Sequence, residues 1–183
     1  MASKTKLFTI GHSTHPLEPF LALLARHRIK ALVDIRRFPG SRKFPHFNHS
    51  ELASALQKAG LDYHWLETLG GRRGKRRDGS AALNLGLQNA GFRNYADYML
   101  TKEFQEGVTR LLKIARGKRA ALMCAEGLFW RCHRRLVGDF LVANGITVQH
   151  IMPTGELRPH QLTSGAAIED GRVTYPGEKS LFN

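Results

Sequence analysis

A chain of 183 residues holds one substantial core and leaves too little for a second domain of ordinary size. With 42% hydrophobic and 23% charged residues it is composed as a globular protein, which argues against a largely disordered chain. The 28 Lys and Arg against 15 Asp and Glu give a formal net charge of +13, a bias toward anionic partners that does not identify one.

From Met1 to Ser13 the only large apolar residues are Leu7, Phe8 and Ile10, too few for an export signal, and no later stretch is long enough to span a membrane. The expectation is a cytoplasmic chain without a membrane partner, whose two cysteines are thiols rather than a disulfide framework. Lys6 to Ile10 reads as a strand, Gly11-His12-Ser13 as a turn, and Pro16 to His27 as an amphipathic helix presenting Leu17, Phe20, Leu21 and Leu24. Ala31 to Ile35 is a buried strand that turns polar at Asp34 and Arg36. Asn48 is positioned to cap a helix with Glu51 completing a capping box and Gly60 stopping it, and Leu61 to Leu66 is the third strand. The segment from Gly70 to Gly79 has no apolar residue, and half of its ten residues are basic; an exposed, mobile loop is expected. Asn94 to Arg116 is helical, broken near Thr101 and stopped at Gly117. Ala120 to Met123 is a strand ending at Cys124, Cys132 to Asn144 a helix closed by Gly145, and Thr147 to Met152 a last strand.

Strands alternating with helices predict one α/β domain over residues 1–153, with a mainly parallel sheet of about five strands flanked by helices. Residues 154–183 form an extension, packed on the same domain or partly mobile. Ligands of such sheets bind beyond the carboxyl ends of the strands, so Gly11-His12-Ser13, Asp34-Ile35-Arg36, Glu67 and Cys124-Ala125-Glu126 are expected to meet at one edge.

The most specific local pattern is Met123-Cys124-Ala125-Glu126, a short loop, and Cys132-His133-Arg134 opening a helix. Together with Gly11-His12-Ser13, Asp34-Ile35-Arg36, Phe44, Phe47-Asn48, Leu69-Gly70-Gly71, Tyr95 and Tyr98, it resembles the domain-of-unknown-function family 488 from about Thr9 to Ile151. The resemblance implies a compact α/β fold with a shared polar site containing two cysteines, and it names no reaction.

Read chemically, a helix opening at Cys132 would direct unpaired N–H groups and positive dipole toward an anion or a thiolate. Arg36 and Arg134 would grip an anion by paired hydrogen bonds, with Gly11, His12 and Ser13 shaping the first turn. Cys124 or Cys132 would act as thiolate, and His133, Glu126 and Asp34 would handle protons or orientation. The plainer alternative makes Cys132 a small buried hydrophobe, Cys124 a packed thiol, and Arg134 a partner of Asp34 or Glu126. Phosphatase and rhodanese loops place an arginine after five intervening residues; here six separate Cys124 from Arg131 and include bulky Phe129 and Trp130, so neither activity is assigned.

No cofactor is required by the sequence and no metal is assigned. Zinc is a minority reading, because Cys124, Cys132, His133 and His12, or His46 with His49, supply soft ligands at no recognised zinc spacing. The leading expectation is an enzyme or enzyme-like pocket for a phosphorylated or otherwise anionic substrate, a nucleotide or a nucleic-acid end. The alternative is a non-catalytic nucleic-acid-binding module. It would act through Arg72, Arg73, Lys75, Arg76 and Arg77, with Arg36, Arg37, Arg42 and Lys43 beside them and Phe44, Phe47, Phe92 and Tyr95 as stacking faces.

Overall fold

The apolar runs read as strands lie side by side in the computed structural model, which describes residues 5–76 and 83–177. In chain order the elements are β1 (Lys6–Gly11), α1 (Leu17–Arg26), β2 (Ala31–Asp34), α2 (His49–Lys58), β3 (Asp62–Trp65), α3 (Ala90–Met99), α4 (Lys102–Ala115), β4 (Ala120–Cys124), α5 (Arg134–Ala143) and β5 (Thr147–Ile151). Three short strands follow: β6 (Leu157–Pro159), β7 (Ala167–Glu169) and β8 (Arg172–Thr174). The fold is a single α/β domain whose sheet runs β3-β2-β4-β1-β5-β6, with the first five strands parallel and β6 antiparallel to β5. β7 and β8 make a separate hairpin. The sixth sheet strand comes from the extension, whose short, exposed LRP run carries no alternation that would mark it in the sequence.

Alternation along β1 explains how two cores form. Phe8 and Ile10 join Phe20, Leu24, Leu52 and Leu56 on the α1 and α2 side, whereas Leu7 joins Tyr95, Phe104, Leu111, Leu136 and Phe140 on the side of α3, α4 and α5. A buried parallel strand must face apolar partners both ways. Thr9 is buried among the second set, and its hydroxyl therefore needs partners.

Two element expectations change. Asn48 precedes α2, but its side chain makes no cap bond: Oδ1 accepts the Ser41 N–H at 2.7 Å, and the Glu51 carboxylate accepts from the Ser50 hydroxyl instead. Closing the basic loop thus takes precedence over a capping box. The helix expected from Asn94 begins at Ala90, because Asn89 caps it by accepting from the Phe92 N–H; α3 and α4 then separate at Thr101, which caps α4. Among the described residues no helix is long and apolar enough to cross a membrane.

Candidate functional site

Register sets the site. Gly11 lies opposite Cys124 and Asp34 opposite Met123, so β1, β2 and β4 end at one level. Beyond those ends the turns are joined: the His12 N–H donates to the Cys124 carbonyl at 2.9 Å and the Ser13 N–H to the Ala125 carbonyl at 2.8 Å. A Cβ on Gly11 would fall on the Glu126 carbonyl and lie 2.7 Å from Gly127 Cα, so glycine is required to bring the two turns together. This differs from the expected use of Gly11 as a backbone approach to an anion, since its open space is filled by the neighbouring turn. The cavity above has a volume of about 810 Å³, and its lining includes His12, Ser13, Arg36, Cys124, Glu126, Cys132 and His133. Glu67 stands outside it, paired with Arg37 at 3.6 Å.

Cys124, Cys132 and His133 meet in its wall. His133 Nδ1 is 3.5 Å from Cys132 Sγ and 4.0 Å from Cys124 Sγ, and the three atoms lie within 4.8 Å of one another. A hydrogen bond between the thiols, together with burial, pushes Cys124 well above the ordinary thiol range. Burial raises Cys132 too, but the Cys124 bond, His133 and the Arg134 charge outweigh it and hold that thiol well below. Gly71 makes room for the imidazole, since a Cβ there would stand 2.8 Å from His133 Nδ1, and the Tyr95 ring packs against it at 4.9 Å between centroids. His133 Nε2 is buried without a hydrogen-bond partner among the described residues. The helix begins at Arg134 rather than Cys132, which follows a single 3-10 turn over Phe129–Arg131.

Asp34 is fully buried and its acceptors are taken. Arg36 Nε donates to Oδ1 at 2.9 Å, Arg36 Nη2 to Oδ2 at 2.6 Å, and the Tyr63 hydroxyl to Oδ2 at 2.8 Å. Asp34 thus orients Arg36 and holds no lone pair toward the cavity. Burial alone would lower the Arg36 pKa, but the bonds and charge of Asp34 raise it above the usual arginine value. The remaining Nη1 meets His12 Nε2 at 3.3 Å, with His12 Nδ1 at 3.0 Å from the Ser13 carbonyl. Burial and the Arg36 charge lower His12 to about 4, so the ring is neutral: Nδ1–H donates to the carbonyl and Nε2 accepts from arginine.

Arg134 is placed differently from its expected anion-gripping position. It is 1% exposed and runs beneath the loop: Nη2 donates to the Glu126 carbonyl and to the Gly127 carbonyl at 3.3 Å, and Nη1 to the Thr9 hydroxyl at 3.3 Å. It holds the Cys124 loop from below. Of the plainer pairings, neither Asp34 nor the Glu126 carboxylate is its partner; the latter accepts the Leu128 N–H at 3.1 Å. Thr9 continues a buried chain that sequence reading missed. His150 Nδ1 is 2.7 Å from the Thr9 hydroxyl, His150 Nε2 is 2.9 Å from His160 Nδ1, and His160 Nε2 is 2.8 Å from Asp139 Oδ1. Tyr175 donates to Asp139 Oδ2 at 2.6 Å. Phe129 stacks on His150 at 3.6 Å, which accounts for a bulky residue in the loop. The signal available in the sequence was buried His150 within an apolar strand; its partners are as far as 141 residues away.

The basic segment is only partly free. Arg73 donates to the Gly70 carbonyl at 2.9 Å and the Glu67 carbonyl at 2.7 Å and lies 3.9 Å over the Tyr98 ring, so it anchors rather than projects. Gly70 and Gly71 are buried, against the expectation of a wholly exposed loop, because neighbouring atoms occupy the space of a side chain. Arg72 lines the cavity, Lys75 is exposed, Arg76 is half-buried, and Arg77 lies outside the described residues. Phe44, Phe92 and Tyr95 line the cavity too, the Tyr95 hydroxyl donating to the Leu69 carbonyl, whereas Phe47 is fully buried. His46 and His49 are not gathered: one contacts the His15 carbonyl at 3.0 Å and the other the Tyr63 hydroxyl at 3.2 Å.

No curated protein and no solved structure matches the chain. A family model does, over residues 16–141, a span that contains Asp34, Arg36 and the whole cysteine-histidine cluster. The chain belongs to the family described as domain of unknown function DUF488.

Proposed function

We propose that the cavity is the substrate site of an enzyme acting on a phosphorylated or otherwise anionic substrate, such as a nucleotide or a nucleic-acid end. One observation carries this reading: Arg36, Arg37, Arg72 and Arg131 line the same cavity as Cys124, Cys132 and His133. The volume is that of a small-molecule pocket. Arg36 supplies a fixed cation, held rigid by Asp34, while the exposed Arg72 and Arg131 reach the outer part of an anion. Phe44 and Phe92 offer flat faces for a base. The sulfur-imidazole cluster carries the chemistry on the group delivered above it. The basic segment alone is a weaker surface, because Arg73 is committed to the fold.

The test measures thermal stability with inorganic phosphate and nucleoside monophosphates for the parent, Arg72→Ala and Arg131→Ala. Binding at a hundredfold excess over Kd stabilises by about 2.7 kcal/mol, and the parent is expected to shift upward while both variants lose most of the shift. Bound phosphate should also slow iodoacetamide labelling of the Cys124 and Cys132 pair, since both line the cavity. An unshifted parent with anion-independent labelling refutes the proposal.

A further inference from the structure

We infer that Cys124, Cys132 and His133 bind a soft divalent cation, zinc in the first instance, with its fourth coordination position open to the cavity. Three soft donor atoms lie within 4.8 Å of one another, and among the described residues all of the imidazole's polar contacts run through Nδ1. Tetrahedral zinc at about 2.3 Å from sulfur and about 2.05 Å from nitrogen sets S···N edges of about 3.6 Å and an S···S edge of about 3.8 Å. The edges present are 3.5 and 4.0 Å for S···N, with every pair inside 4.8 Å, so binding needs only small side-chain adjustments. Two sulfurs and one imidazole select zinc over magnesium or calcium, whose ligands are oxygens.

The surroundings hold the donors in place before any ion arrives. Cys124 ends β4 with its carbonyl bonded to the His12 N–H. Arg134 ties down the carbonyls that follow, while Gly71 makes room for the imidazole and the Tyr95 ring packs against it. His12, which also offered a ligand nitrogen, is turned to Arg36 and stays outside the cluster. Three protein ligands with one open position is the pattern of a reactive site rather than a closed structural one. The ion would draw an anionic oxygen into that position, beside Arg36, and this last point rests on the pocket reading above.

The experiment uses the full chain, reduced and freed of metal by a chelator, then titrated with zinc against a chromogenic competitor and separately with cobalt(II). The expected result is one ion per chain, thiolate-to-cobalt charge-transfer absorption in the near ultraviolet, and the visible bands of a tetrahedral site. Cys124→Ser and Cys132→Ser should each weaken zinc by at least about 100-fold, more than the loss of an outer-shell partner. The parent provides a reading independent of how either variant folds: zinc should protect both cysteines from iodoacetamide, and chelation should restore labelling. No uptake by the reduced parent, uptake without the charge-transfer band, or undiminished affinity in folded variants overturns the inference. If phosphate still stabilises the protein while zinc does not bind, the metal inference alone falls; if neither binds, the pocket reading falls with it.

Discussion

Arg134 is the largest fully buried side chain among the described residues, and it lies directly beneath the site. Its guanidinium serves two loop carbonyls and the Thr9 hydroxyl while 1% exposed, and its Nε has no partner among the described residues. Replacing it with methionine keeps the volume but leaves the Glu126 and Gly127 carbonyls unsatisfied, a cost of about 3 kcal/mol at two charged hydrogen bonds. Urea unfolding of Arg134→Met should report that loss, and Cys124 should alkylate faster as its loop loosens. Arg134→Lys should recover only part, because one ammonium does not span both carbonyls and Thr9. Near-parental stability in Arg134→Met would show that the loop is held by its other contacts. A residue type at a position does not say which way its guanidinium runs, which is why Arg134 reads as an anion ligand in the sequence and as a loop anchor in the fold.

Among elements, the buried chain from β1 through β5 to α5 links three parts of the fold. His150 on β5 faces Thr9 of β1, Arg134 of α5, His160 after β6 and the ring of Phe129, and reaches Asp139 of α5 only through His160. Burial first, then His160 and Arg134, lower its pKa from 6.5 to about 3. A histidine depressed in the fold binds a proton more readily when unfolded, so stability is intact above the unfolded pKa and is lost as pH falls toward the folded one. The window runs from 6.5 down to about 3. Urea titrations from about pH 7 to about pH 5 should show a decline approaching 1.4 kcal/mol per pH unit from this group. His150→Gln should be less stable at neutral pH yet show a shallower decline; an equal slope would place the titration elsewhere. The meeting of the first, second and fourth turns at one sheet edge was legible, because parallel strands with helical crossovers put their carboxyl ends on one side. The histidine chain was not, since its members pair across distances that no local pattern records. Arg73 misled for a related reason: an apolar-free segment reads as solvent-exposed, but its guanidinium lies over the Tyr98 ring and donates to two carbonyls.

For the whole molecule, residues 154–177 supply β6, His160 and Tyr175, the last 1% exposed. Ending the chain at residue 153 removes His160, Thr163 and Tyr175, the three partners of Asp139 that arrive from beyond β5, and strands its carboxylate in the core, at a cost of several kcal/mol against a typical stability of about 5–15 kcal/mol. Such a chain should precipitate or melt far below the parent, by circular dichroism and calorimetry; a cooperative transition near the parental temperature would show the extension to be dispensable. The strand order has a further consequence for how the protein is made. β4 lies between β2 and β1, so the first two strands have no edge in common and wait for residues 120–124. While a ribosome is still adding the first half, Phe8, Ile10, Leu32 and Val33 belong to strands with an open flank, exposed to other nascent chains. Insertion of the strand that ends in Cys124 joins β2 to β1 and sets one wall of the cavity, while β1 keeps its other edge open until residues 147–151 arrive.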